Sequence, residues 1–196
     1  MAAATSAARE LGYPVVLKAL ADEIAHKTEL GLVAVGLEND GDLARAFAQM
    51  SERLDRLDPP PSERAFLVQE FVAVGIELFA GVSRDPDFGL SLAIGMGGTA
   101  IEVTRDFALR MLPLREGDAE AMIAETRGAA MLAAVRGQPP ADVKSVAACL
   151  EALADFAQQN ADVLDEVDLN PIKALPQGRG CVVVDALIVA RAPARG

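Results

Sequence analysis

Eight short apolar runs, most of them rich in β-branched residues, are strung along this chain with only three helical stripes among them. They follow no regular strand–helix–strand rhythm, and that constrains the fold more than any single motif does. A doubly wound parallel sheet requires strands and helices to alternate. The runs are Tyr13–Leu20, Leu32–Leu37, Ala65–Val72, Ile76–Ser83, Leu90–Ile94, Ile101–Thr104, Asp165–Ile172 and Cys181–Val189. The pattern predicts an α+β chain with mostly antiparallel sheets in two lobes.

The helices announce themselves by caps and spacing. Asn39 and Asp40 precede apolar residues at Leu43, Ala46, Phe47, Met50 and Leu54. Gly117–Arg127 places Ala119, Met122 and Ile123 on one face. Pro139-Pro140-Ala141-Asp142 opens the longest helix, with a stripe of Val143, Val146, Ala147, Leu150, Leu153, Ala154 and Ala157. Pro59-Pro60-Pro61 reads as the clearest linker, Ala73-Val74-Gly75 as a hairpin turn, and Asp85–Gly89 as a strong turn. The turn Pro176–Gly180 joins the last two runs. The expected division is a first lobe over residues 1–68 and a second over 69–196.

Composition removes several functions. With 52% hydrophobic residues the chain folds, and with 18 basic against 29 acidic residues its net charge is -11. Nucleic-acid binding needs clustered Lys and Arg, and no such cluster is present. An anionic membrane repels such a surface, and the longest apolar stretch, Gly89–Val103, is too short to span one. The first residues lack the pattern of a signal peptide. Cys149 and Cys181 lie far apart in apolar surroundings, so they are expected to be buried free thiols in a reducing cytoplasm. One histidine and no close cysteine pair exclude a zinc site.

Four places carry chemistry. Lys18 stands in an apolar strand, where it either reaches water from a sheet edge or meets an anion such as a nucleotide phosphate. The loop His26-Lys27-Thr28-Glu29-Leu30-Gly31 is polar and contains the single histidine, a solvated side chain or a phosphoryl acceptor. Gln69-Glu70-Phe71-Val72 and Gly75-Ile76-Glu77 set two carboxylates around an apparent turn. They are either solvent-facing or arranged about an adenine edge and a ribose. Glu166, Asp168 and Asn170 alternate, so their oxygens share one sheet face, and Asp185 joins them if the last two strands pair. Oxygen donors of this kind suit Mg²⁺. A rival motif, Gly95-x-Gly97-x-x-Ala100, matches a dinucleotide fingerprint, although the residues after it are β-branched where a helix is required.

Taken in order, these segments resemble the ATP-grasp domain of ADP-forming acetyl-CoA and acyl-CoA synthetases, of the β-subunit type. The resemblance rests on Gly12-Tyr-Pro-Val-Val-Leu-Lys18, Glu23–Gly31, Gln69–Val72, Gly75–Glu77, Ser83–Gly89, Gly95–Gly98, Arg105–Leu114, Asp168-Leu-Asn-Pro171 and Val184-Asp-Ala186. It implies that Lys18 contacts ATP phosphates, that Glu70, Phe71 and Val72 form the adenine hinge, and that Glu77 meets the ribose. It also implies Mg²⁺ at Asn170 and Asp185, with Asp168 as a further ligand, and a phosphoryl group received by His26. The implied reaction is acid + CoA + ATP giving acyl-CoA + ADP + phosphate, through an acyl phosphate and a phosphohistidine. A CoA-binding and CoA-ligase subunit or domain is the implied partner. The family domain usually begins earlier, so the first lobe is expected to be shortened. Gly31-Leu32 stands where two glycines are common. The alternatives are a non-catalytic ATP-grasp module, serving a CoA ligase or a fused protein acyltransferase, and a dinucleotide-binding enzyme.

Overall fold

A computed structural model describes residues 1–20, 30–61, 64–97, 106–134, 137 and 139–191. The chain forms two compact units, residues 1–73 and 74–196.

The first unit is built on β1 (Val15–Leu20), the central strand of an antiparallel sheet between β2 (Val33–Leu37) and β3 (Ala65–Glu70). One face of β1 carries Val15, Leu17 and Ala19 into a core completed by two helices. These are α1 (Ala2–Leu11), which contributes Ala8, and α2 (Asp40–Asp55), which contributes Leu43, Ala46, Met50 and Leu54. As the spacing predicts, Asn39 caps α2, its side chain accepting the Asp42 amide at 3.0 Å. The sequence reading has no counterpart for α1. Its residues are alanine-rich and helix-prone, but they present no apolar stripe large enough to read. Asp40 fastens the corner by accepting from the Arg9 guanidinium and from the Tyr13 hydroxyl, the latter at 2.7 Å.

Two expectations are corrected here. The triple proline is not a linker between the units, because the chain returns through β3 to pair with β1 from Val15↔Glu70 to Leu20↔Ala65. Nor do residues 65–72 and 76–83 form a hairpin. β3 belongs to the first sheet, while β4 (Ile76–Asp85) pairs with strands of the second. The reason lies in β1: a strand buried along nearly its whole length needs a hydrogen-bonding partner on each edge.

The second unit is an antiparallel sheet in the order β6 (Phe107–Met111), β5 (Gly89–Met96), β4, β7 (Leu164–Ala174), β8 (Cys181–Val183), with β9 (Ala186–Ala190) also on β7. Asp85 accepts the amides of Asp87 and Phe88 at 2.8 and 3.0 Å, which tightens the β4–β5 turn. One sheet face carries Leu78, Ala80, Val82, Leu92, Ile94, Val167 and Ile172 against α3 (Asp118–Glu125), α4 (Ala129–Leu132) and α5 (Val143–Gln159). The stripe predicted for α5 is buried from Val146 to Ala157, and Val143 is partly buried. Asp142 caps α5 by accepting from Ser145, and its other oxygen takes the amides of Gly178 at 2.9 Å and Gly180 at 3.0 Å.

The run expected as one strand over residues 181–189 is two. The break at Val184-Asp185 faces Asn170-Pro171 of β7, where β7 also bulges against β4: Leu78 faces Ile172 but Ala80 faces Leu169. Proline has no amide to give the ladder there. The two cysteines are free thiols as expected but less buried than expected. They are half-buried and carried by α5 and β8. Ile101–Thr104 lies outside the described residues. No described helix is long and apolar enough to cross a membrane.

Candidate functional site

Lys18 is not at a sheet edge. It sits in the middle strand, opposite Leu67 on one side and Val33 on the other, and is only 4% exposed. It projects from the face opposite the helices, since Leu17 and Ala19 point into the helical core. An ammonium group withdrawn this far from water is costly unless anions or strong acceptors surround it.

Gln69 lies on the same sheet face, in register with Val16, and the sequence reading did not single it out. Its Oε1 is buried and accepts no hydrogen bond from a described residue. An orphaned acceptor beside a buried lysine marks a polar face on an otherwise apolar sheet. The sequence offers Gln69 only as the first residue of the Gln69–Val72 segment, and only the β1–β3 register places it on the face of Lys18.

His26 and Lys27 lie outside the described residues. The ends of the β1–β2 connection that contains them are well tied. The Ala19 amide donates to the Leu32 carbonyl at 2.9 Å, and the Arg53 guanidinium donates to the Gly31 carbonyl. Gly31 has φ +63°, a backbone conformation that favours glycine, and the end of the Arg53 side chain packs over it.

Glu70 ends β3 and is exposed, while Phe71 and Val72 follow it half-buried. The Phe71 amide donates to the Pro14 carbonyl at 3.3 Å, which holds this segment against the start of β1. In the second unit Glu77 stands opposite Lys173, with Oε1 and Nζ 2.8 Å apart. The Glu77 carbonyl accepts the Gly97 amide at 2.8 Å. Gly97 approaches so closely that a Cβ would lie 3.0 Å from the Glu77 carbonyl carbon.

The acidic face of β7 forms as its alternation predicts. Glu166 faces Ser83 and Asp168 faces Gly81, while Val167 and Leu169 point to the helical side opposite Val82 and Ala80. Gly81 has no side chain to fill the space beside Asp168. Asn170 is next in the alternation, and its amide donates to the Asp185 carbonyl at 3.2 Å, which sets these two residues side by side. Burial pushes the Asp168 carboxyl up, and repulsion from Glu166 and then Asp185 pushes it further. Among the described residues no three His, Cys, Asp or Glu side chains gather to hold a metal by themselves. Carboxylate and amide oxygens of this kind are ligands for a hard divalent ion, which here would need water or substrate oxygens to complete its shell.

The dinucleotide reading is overturned. Gly95 is inside β5 and paired with Phe107, not in a turn after a strand, and β5 runs antiparallel to both neighbours. That fingerprint works only at the start of a helix between parallel strands. Ala100 lies outside the described residues.

The model of a family described as an ATP-grasp domain matches residues 1–190. The β subunit of acetate–CoA ligase (ADP-forming) II from Pyrococcus furiosus is 32% identical over 182 residues, which are 93% of this chain and 77% of that protein. The 4-hydroxybutyrate–CoA ligase (ADP-forming) of Nitrosopumilus maritimus is 32% identical over 95% of this chain, which spans only 27% of it. A solved structure of the dinucleotide-forming acetyl-coenzyme A synthetase 1 of Ca. Korarchaeum cryptofilum superposes with a TM-score of 0.80 at 36% identity. The match covers 96% of this chain and 81% of that one. That enzyme holds coenzyme A and Mg-AMPPCP, with its phosphohistidine segment pointing towards the nucleotide binding site.

Proposed function

The chain belongs to the ATP-grasp domain family, and from that premise we propose that it binds Mg·ATP for the phosphoryl-transfer part of an ADP-forming acid–CoA ligase reaction. It is homologous to ADP-forming acid–CoA ligases, which favours the catalytic reading over a non-catalytic module.

The acidic face of β7 carries this reading. Asp168 is held beside Glu166 and Asp185 although burial and repulsion both oppose its charge. A chain tolerates such crowding where a cation normally shares the face. Asp185 and Asn170 are the proposed Mg²⁺ ligands, with Asp168 beside them. When bound, Mg²⁺ supplies charge neutralisation on the phosphates that transfer.

The chain's own residues do the rest. Lys18, buried in the central strand, offers a positive charge to phosphate oxygens. The backbone from Glu70 to Val72 offers donors and acceptors to the adenine edge, and the Gln69 amide oxygen accepts from the adenine amino group. Glu77 accepts from ribose hydroxyls, with Lys173 fixing its carboxylate. His26 receives the phosphoryl group. The β-subunit name of a relative supports a partner subunit, and in this reading that partner binds CoA and supplies the thioester chemistry.

Thermal unfolding with and without nucleotide tests the proposal. A ligand that binds only the folded protein raises the midpoint. Mg·ATP raises it, ATP with a chelator raises it less, and Lys18→Met weakens nucleotide binding by about 2–5 kcal/mol, since it removes one partner of a desolvated charge pair. An unchanged Mg·ATP response in a folded Lys18→Met protein refutes the assignment of that lysine.

A further inference from the structure

Two thiols that the proposed chemistry does not use meet where α5 packs on β8. Cys181 opens β8, opposite Ala174 of β7, and Cys149 lies within α5. The Cys181 sulfur donates to the Ser145 carbonyl oxygen at 3.4 Å. In an α-helix the carbonyl of residue 145 accepts the amide of residue 149. The Cys181 sulfur therefore rests on the hydrogen bond that seats Cys149.

The two thiols act on each other's protons. Cys181, with burial adding to the effect, pushes the Cys149 thiol far up. Cys149 brings Cys181 down to about 6, against burial and the nearby Asp142 carboxylate, with Ser145 helping. Both side chains are half-buried, so small reagents reach them. The frame around them is already tied, because Asp142 at the start of α5 takes the amides of Gly178 and Gly180 in the β7–β8 turn.

We propose that Cys149 and Cys181 are a dithiol–disulfide couple, oxidised by peroxide, that locks the β7–β8 turn onto α5. Cys181 gives its proton to solvent, the thiolate attacks one peroxide oxygen, the O–O bond breaks and Cys181 becomes a sulfenic acid, and the departing hydroxide takes a proton back from solvent as the first water. The Cys149 sulfur then attacks the Cys181 sulfur. The S–S bond forms, the S–O bond breaks, and the departing hydroxide takes the Cys149 proton as the second water. Two electrons pass from the sulfurs to the peroxide. The bond closes the loop from residue 149 to residue 181, which restricts the unfolded chain and stabilises the second unit. The inference stands apart from the nucleotide reading, since neither cysteine belongs to the proposed ATP site.

The test exposes the folded full chain to hydrogen peroxide, followed by thiol counting under denaturing conditions, peptide mass mapping without reductant, and thermal unfolding. Both thiols disappear together, the two cysteine peptides are linked within a monomer, and the midpoint rises on the order of 5–10 °C. Dithiothreitol reverses all three changes. Cys149→Ser leaves Cys181 at the sulfenic or a higher acid without the rise. Independent oxidation of the two wild-type thiols to sulfinic acids, linkage between chains, or an internal disulfide with no gain in midpoint overturns the proposal. The wild-type measurement decides the question even if a serine variant folds poorly.

Discussion

Two aspartates of the second unit, Asp142 packed on the β7–β8 turn and Asp168 on the outer face of β7, hold their charges in opposite ways. Asp142 accepts from Gly180, Ser145 and Gly178, and these amides keep its carboxyl below the ordinary range against partial burial. Asp168 meets burial and two neighbouring carboxylates, and its carboxyl is pushed up. The first charge is part of the architecture: it caps a helix and clamps a turn. The second is kept against the stability of the protein alone. That contrast separates a carboxylate that the fold satisfies from one that it does not, the latter being the one for which we propose a cation.

The largest effect expected from testing this contrast comes from removing what both carboxylates depend on. Leu150 of α5 is fully buried against the sheet, and Leu150→Ala should destabilise the second unit by about 2–5 kcal/mol in denaturant unfolding. Next is Asp142→Asn, which lowers the midpoint at neutral pH while leaving the Mg·ATP response in place. A midpoint equal to the parent's denies Asp142 its clamping role. Smallest is Asp168→Asn, which raises the midpoint of the ligand-free protein slightly and reduces the additional rise given by Mg·ATP. Loss of stability without any change in that response makes Asp168 an ordinary structural residue.

The pH dependence sharpens the same comparison. Asp142 has a lowered folded pKa, so its contribution is present above the ordinary carboxylate range and is lost as pH falls through the folded value. Asp168 has a raised folded pKa, so the folded protein holds its proton longer than the unfolded chain does, and stability falls as pH rises through that window. Asp142→Asn should flatten the acid limb of the stability curve. Asp168→Asn should remove the decline on the rising side.

Much of both aspartates' setting was legible in the chain. The α5 stripe and its cap are local, repeating every three or four residues, and the alternation of Glu166, Asp168 and Asn170 is equally local. The β4–β5 turn was legible too, because Asp85 and its neighbours close it without outside help. Less local features escaped. The hairpin expected across Ala73-Val74-Gly75 is a crossing from one sheet to another, since β3 is claimed by β1 some fifty positions earlier. That Gln69 shares the face of Lys18 came only from its register with Val16, and the setting of the two cysteines only from α5 packing on β8.

Periodicity, caps and turn chemistry are properties of neighbouring residues, so the chain alone determined the three striped helices, most strands, the α+β class and the ordered motifs that mark the family. Strand partners, the burial of Lys18, the bulge at Asn170-Pro171 and the meeting of Cys149 with Cys181 depend on residues distant in sequence. Those were decided by tertiary structure, because which edges pair and which faces are covered is settled by the whole fold at once and leaves no local trace.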